Sequence, residues 1–274
     1  MNAFLIIMKA VVAIITGSIA ILAELAHSLF DMLASIFAYV GIKKAEEPAD
    51  KTHLYGHEKF ENLSSFAQTI LIVVTSMLII YEALNRIGVP KKLEATELGL
   101  IVMFITIVID YFLSRYLHGK SKEYGSTALE ADAYHFTTDL WGALSVIIGL
   151  GFVFLGFQIF DAIAAMVVAI IMLWISYGLG KRSINVLMDG SPSYEVIERI
   201  SRIIASTHGV FGFHNLKARY AGKKIFLDFN IHVAPKITAR KAHEIAHKVE
   251  KRLIKEIPNI KQVTIHIEPS IKKQ

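Results

Sequence analysis

The sequence predicts an α-helical membrane domain of six transmembrane helices followed by a cytoplasmic α+β domain of order αββαβ. Three observations carry that prediction. Apolar runs recur along residues 1–180, most of them near the ~20 residues needed to cross the hydrocarbon layer. Lys and Arg gather in alternate loops instead of forming one patch. After Pro192 the pattern changes to short amphipathic and alternating segments. Apolar residues make up 54% of the 274, too many for an ordinary soluble domain. Cysteine is absent, so a metal would have to be held by His, Asp and Glu. The net charge of +5 comes from basic residues that flank apolar runs, which argues for a membrane and against nucleic acid.

Taken in order, the first run spans Ala3 to Thr16 and is short for a span, with Lys9 inside it. It carries no basic leader or cleavage site and reads as a retained first helix. Gly17-Ser18 interrupts the chain, and a second run from Ile19 to Ile42 carries Glu24, His27 and Asp31. A polar loop from Lys43 to Lys59 precedes the third run, Asn62 to Leu84. The fourth is Leu98 to Leu113 with Asp110, the fifth Thr127 to Leu155, and the sixth Ile159 to Leu179. The loops after the second, fourth and sixth runs hold most of the Lys and Arg, which predicts a multi-pass protein with both termini cytoplasmic. The predicted boundaries are 1–180 for the transport domain, 181–191 for a linker and 192–274 for the cytoplasmic domain. In the latter, Tyr194–Thr207 and Ala239–Ile257 read as helices, and Phe213–Tyr220, Ile225–Val233 and Val263–Ile267 as strands. One layer of each suits a small helix-backed antiparallel sheet.

Two stretches within the apolar runs read alike, His27-Ser-Leu-Phe-Asp31 and His135-Phe-Thr-Thr-Asp139. Each sets an imidazole and a carboxylate one helical turn apart on one face. An acid at mid-membrane costs roughly 2.5–3.5 kcal/mol on insertion scales, so it persists with a partner or a task. A single pair could be an interhelical hydrogen bond. Two pairs of the same type on separate spans supply two nitrogens and two oxygens, a set that Zn²⁺ accepts. Such ligands bind metal deprotonated, so metal entry releases protons. The loop offers Asp50, His53 and His57 within eight residues, with Gly56 to turn the chain. The tail holds His208, His214, His232, His243, His247 and His266, and His266-Ile-Glu268 puts two ligand types on one strand face. His208 and His247 read as surface residues. Asp110 either faces a watery path or pairs with Lys9, Asp132 could line the cytoplasmic mouth, and Asp161 is expected to cap the sixth helix.

This pattern resembles the cation diffusion facilitator family of zinc and divalent-metal transporters. The residues that carry it are Gly17-Ser18-Ile-Ala-Ile-Leu-Ala, His27-x-x-x-Asp31, Tyr55-Gly56-His57-x-Lys59-x-Glu61 and Asp132-Ala-x-His135-x-x-x-Asp139. Leu187-Met-Asp189 and His266-Ile-Glu268-Pro269 also fit, so the likeness covers nearly the whole chain. It implies a homodimer of six-helix protomers in the plasma (inner) membrane, with tails of metallochaperone-like, ferredoxin-type fold. It implies proton-coupled metal export by alternating access, with a transport site of His27, Asp31, His135 and Asp139 and a loop site of Asp50, His53 and His57. The resemblance draws the tail site from His214, His243, His266 and Glu268, and makes Lys59 and Asp189 a charge interlock. One strand position that is often His in zinc-binding relatives is Asn230 here. His232, two residues on and hence on the same face, is the expected substitute.

The expected function is therefore export of Zn²⁺ in exchange for H⁺, with Zn²⁺ also in the tail. A transporter of the same fold selective for Fe²⁺, Co²⁺ or Cd²⁺ is the alternative, since affinity order alone does not select among these ions. An uptake channel is a weaker rival. A membrane-bound zinc hydrolase is a different class, disfavoured on the expectation that the chain has no His-Glu-x-x-His or other general-base motif.

Overall fold

The computed structural model describes the backbone of residues 2–89, 91–124 and 127–270, with side chains at all of these except 2, 3, 34, 35, 121, 122, 124, 127–135 and 138. Six apolar helices come first: α1 (Asn2–Thr16), α2 (Ile19–Ala45), α3 (Phe60–Gly88), α4 (Thr96–Tyr124), α5 (Thr127–Phe154) and α6 (Ile159–Leu187). Then follow α7 (Tyr194–Ala205), β1 (Gly212–Ala221), β2 (Lys224–Val233), α8 (Ala239–Glu256) and β3 (Ile260–Pro269). Among the described residues, α2, α3, α6 and the Thr96–Lys120 part of α4 are long and apolar enough to cross a membrane. Phe4–Thr16 and Asp139–Phe154 are shorter apolar helical stretches. The sixth helix runs to Leu187, so helix occupies the first residues of the expected linker.

The chain divides into two compact units, one of Met1–Phe37 with Ala67–Gly180 and one of Ala38–Phe66 with Lys181–Gln274. The first is a helical bundle. Its core is built largely from small side chains, with Ala20, Ala23, Ala143, Ala165 and Ala169 fully buried beside Met103, Val146, Leu150 and Met172. Small residues let helices approach closely where lipid supplies no hydrophobic drive. Gly149 of α5 shows how close: a Cβ there would lie 2.5 Å from the Ala164 Cβ of α6. Large apolar side chains such as Ile101, Phe104, Ile170 and Trp174 point outward, as a hydrocarbon solvent permits.

One contact corrects an expectation. Asp161 lies in the first turn of α6, yet its carboxylate caps α2. It accepts from the Ser18 hydroxyl, from the Ile19 amide at 2.8 Å and from the Ala20 amide at 3.2 Å. These are orphan donors of a helix start, and a buried acid there meets both the amides and the positive end of the dipole. Arg86 of α3 closes the knot, donating to Gly17 O at 2.6 Å and standing 3.8 Å from Asp161.

In the second unit a three-stranded sheet of order β1-β2-β3 packs α7 and α8 on one face. The sheet is mixed rather than antiparallel. β1 and β2 form the expected hairpin, while β2 and β3 run parallel from Ile225↔Ile260 to Val233↔Pro269. An intervening helix is what a parallel connection requires, and α8 supplies it. Thr238 caps that helix, accepting from the Lys241 amide at 3.3 Å. Period-2 alternation sends Leu227, Phe229, Ile231 and Val233 into the core with Ile204, Val249 and Leu253. The even-numbered positions 228, 230 and 232 therefore face the other way.

Candidate metal centres

In the helical unit, His27 and Asp31 project from α2 and Asp139 from α5. His27 Nε2 lies 3.1 Å from Asp139 Oδ1 and 3.7 Å from Asp31 Oδ2. One nitrogen and two carboxylates thus converge, with candidate ligand atoms all within 4.8 Å of one another. The His135 and Asp132 side chains lie outside the described residues, but His135 precedes Asp139 by one turn of α5. A cavity of about 40 Å³ opens beside the group, lined by Asp31, Asp139, Asp110, Lys9, Ser28, Leu5 and Phe136. Asp110 thus borders the same void. Lys9 donates to Glu24 and Ser28, partners that the sequence reading did not foresee.

In the second unit, Asp50, His53 and His57 form another such group. Asp50 anchors the turn, accepting from the Thr52 hydroxyl at 2.8 Å and from the amides of His53 and Thr52 at 2.6 and 2.7 Å. These bonds, the Thr52 hydroxyl foremost, hold its carboxyl well below the usual carboxylate range. His57 is nearly buried and donates Nδ1–H to Pro48 O at 3.2 Å. That bond leaves Nε2 as the available lone pair, and Nε2 is the atom 3.4 Å from Asp50. Gly56 at φ +92 makes the turn possible, bringing the two imidazoles to 4.5 Å between centroids.

The tail group sits on the sheet face away from the helices. His214 of β1, His232 of β2 and Glu268 of β3 converge, with His232 and Glu268 as direct partners across the parallel pair. Asn230 occupies the centre, donating to Glu268 Oε1 at 2.7 Å and lying 3.3 Å from His214 Nε2. His232 joins the cluster by the period-2 argument. His266 stands beside it, 3.7 Å from Glu268 but 70% exposed. His243 is not brought to it: it lies exposed on α8, stacked on His247 at 6.0 Å. Contrary to expectation, α8 carries a His-Glu-x-x-His spacing, His243-Glu244-Ile245-Ala246-His247. Its histidines face outward and His247 is held by Glu250 at 3.0 Å. Asn230→His is expected to put an imidazole where the amide now bridges Glu268 and His214. Zn²⁺ affinity of the tail should rise about tenfold, as read by isothermal titration; unchanged affinity would separate this cluster from metal binding.

In the same unit Asp189 follows α6 at φ +59, a conformation Asp tolerates. Lys59 Nζ lies 2.9 Å and Arg219 2.8 Å from its carboxylate. Those bonds keep the Asp189 carboxyl below its ordinary range. Lys59 also donates to Leu187 O at 3.2 Å. Arg219 is a partner that spacing alone could not reveal.

Residues 1–188 match the family described as the cation efflux transmembrane domain, and residues 192–270 match that of the cation efflux protein, cytoplasmic domain. The chain is 29% identical over 267 residues to an uncharacterized transporter of Methanocaldococcus jannaschii, covering 97% of this chain and 94% of the relative. It is 31% identical over 265 residues to the cation-efflux pump FieF of Shewanella oneidensis, covering 97% and 89%. A solved MamM CTD variant matches at 31% identity over 28% of this chain and 94% of its own, with a TM-score of 0.28.

Proposed function

The chain belongs to the cation diffusion facilitator family of cation efflux transporters, and from that premise we propose that it exports Zn²⁺ from the cytoplasm in exchange for protons. It is a membrane transporter and not an enzyme. The observation that supports the reading best is the meeting of His27, Asp31 and Asp139 from α2 and α5 beside a small cavity. His135 completes a tetrad of two nitrogens and two oxygens, suited to tetrahedral Zn²⁺. The ion enters from the cytoplasm and displaces the protons of the site. The six helices, all taken as spans, rock to face outward, and outside protons displace the ion in turn.

The remaining assignments follow the same reading. Residues 1–180 form the transport domain, 181–191 the linker and 192–274 the tail, both termini are cytoplasmic, and the protein works as a homodimer in the inner membrane. Asp50, His53 and His57 hold a second ion. His214, His232 and Glu268, with His266 adjoining, hold a tail ion, and His243 would have to meet it from elsewhere. Lys59 and Asp189 act as the charge interlock, with Arg219 as third member.

Zn²⁺ flux in proteoliposomes, with and without a pH gradient, tests the reading. Transport should accelerate when the far side is acidified. Flux indifferent to the gradient would favour a channel, and no Zn²⁺ flux beside brisk Fe²⁺, Co²⁺ or Cd²⁺ flux would move the assignment to that ion. His27→Asp should retain transport and admit Cd²⁺ several-fold more readily, because a third carboxylate, able to bind through one or two oxygens, accommodates a larger ion better than the imidazole it replaces. An unaltered Zn²⁺/Cd²⁺ ratio would mean that His27 does not set selectivity.

A further inference from the structure

A buried ion pair of the helical unit stands outside the proposed ligand set. Lys9 of α1 and Glu24 of α2 are 3% and 1% exposed, where charge survives only in company. Lys9 Nζ donates to Glu24 Oε1 at 3.2 Å and to Ser28 Oγ at 2.8 Å. The pairing is incomplete, since Glu24 Oε2 is buried and accepts no hydrogen bond among the described residues. Replacing a buried ion pair by apolar residues is often neutral or stabilising, so stability is a poor explanation for this one. Its position is a better one. Lys9 and Ser28 line the cavity that Asp31, Asp110 and Asp139 also line, and Ser28 is the residue after His27. Lys9 thus shares the wall of the void that two proposed metal ligands also line.

We propose that Lys9 is a positioning residue of the transport site, a built-in cation held by Glu24 and Ser28 that opposes the metal and competes with it for its carboxylates. The inference rests on the transport function proposed above. A fixed positive charge a few ångströms from a divalent ion, in a medium of low dielectric, weakens binding by about tenfold or more. A transport site needs such weakening, because an ion held too firmly is not released. Glu24 sets the resting place of the ammonium. Held by Glu24, Lys9 is drawn aside and the site is open to metal. Without that carboxylate, the acids nearest to Lys9 are those of the cavity. Its flexible four-carbon stem lets the head move between them.

The test uses the full chain reconstituted in lipid, with equilibrium ⁶⁵Zn²⁺ binding and with KM and maximal rate of efflux read separately. Lys9→Gln should tighten Zn²⁺ binding about tenfold and lower the maximal rate, because release slows. Glu24→Gln should weaken binding by a similar factor. The opposite signs are the signature; a merely structural pair would move folding yield in both variants and affinity in neither. If a single variant fails to fold, the Lys9→Met/Glu24→Leu double variant strands no charge. It should bind more tightly than wild type, since it removes the cation that lines the cavity. Wild-type affinity in folded variants, or shifts of one sign in both single variants, overturns the proposal and leaves the transport function standing. Wild-type protein that neither binds nor carries any divalent ion overturns both.

Discussion

Asp139→Ala is expected to abolish metal flux while leaving the tail folded. Asp139 is the α5 carboxylate that meets His27 of α2 at 3.1 Å, so its removal takes away a proposed ligand oxygen, a negative charge and a contact between the two helices. Loss of an outer-shell partner alone costs roughly tenfold to a hundredfold in metal affinity, and loss of a ligand should cost about a hundredfold or more. The tail core of Ile204, Leu227, Phe229, Val249 and Leu253 is a separate cluster, so its unfolding transition should not move. The check is ⁶⁵Zn²⁺ flux in proteoliposomes beside thermal unfolding of the same preparation. Wild-type flux in a folded variant would remove Asp139 from the site.

The largest expected loss of stability comes from Asp161→Ala. Its carboxylate, 2% exposed, accepts from Ser18, Ile19 and Ala20 at the start of α2. Alanine leaves those buried donors without an acceptor, at about 1–3 kcal/mol for each that water does not reach, while Arg86 beside them keeps Gly17 O and Glu82. A loss of about 3 kcal/mol or more should lower the melting temperature by about 10 °C in a bundle of this size. Asp161→Asn, which still accepts, should recover part of it. Fluorescence of the two tryptophans, Trp141 and Trp174, reports the unit concerned. A melting temperature within 2 °C (roughly the effect of 1 kcal/mol) would mean that the cap contributes little.

What sequence could convey divides along physical lines. Hydrophobic periodicity is local, and it placed α2, α5 and the tail helices and strands to within a few residues. The shared face of Asn230 and His232 also followed from strand geometry alone. Interactions between distant segments left no such trace. The partner of Asp161 lies 143 residues away, and nothing near Asp161 in the chain points to Ser18. The parallel pairing of β2 with β3 depends on how α8 returns the chain, which alternation within each strand does not encode. Lys9 and Glu24 were each visible as charges in apolar runs, but their pairing needed the packing of α1 on α2. His243 was assigned by likeness to other proteins, and the structure places it on an exposed face of α8.

The cap on α2 also orders events during synthesis. A ribosome makes the first turn of α2 long before it reaches Asp161. Until the sixth segment is translated and inserted, those early amides must borrow water or lipid headgroups as acceptors. The amino-terminal hairpin is thus provisional for most of translation, and a nascent chain truncated before residue 161 should remain a substrate for membrane quality control.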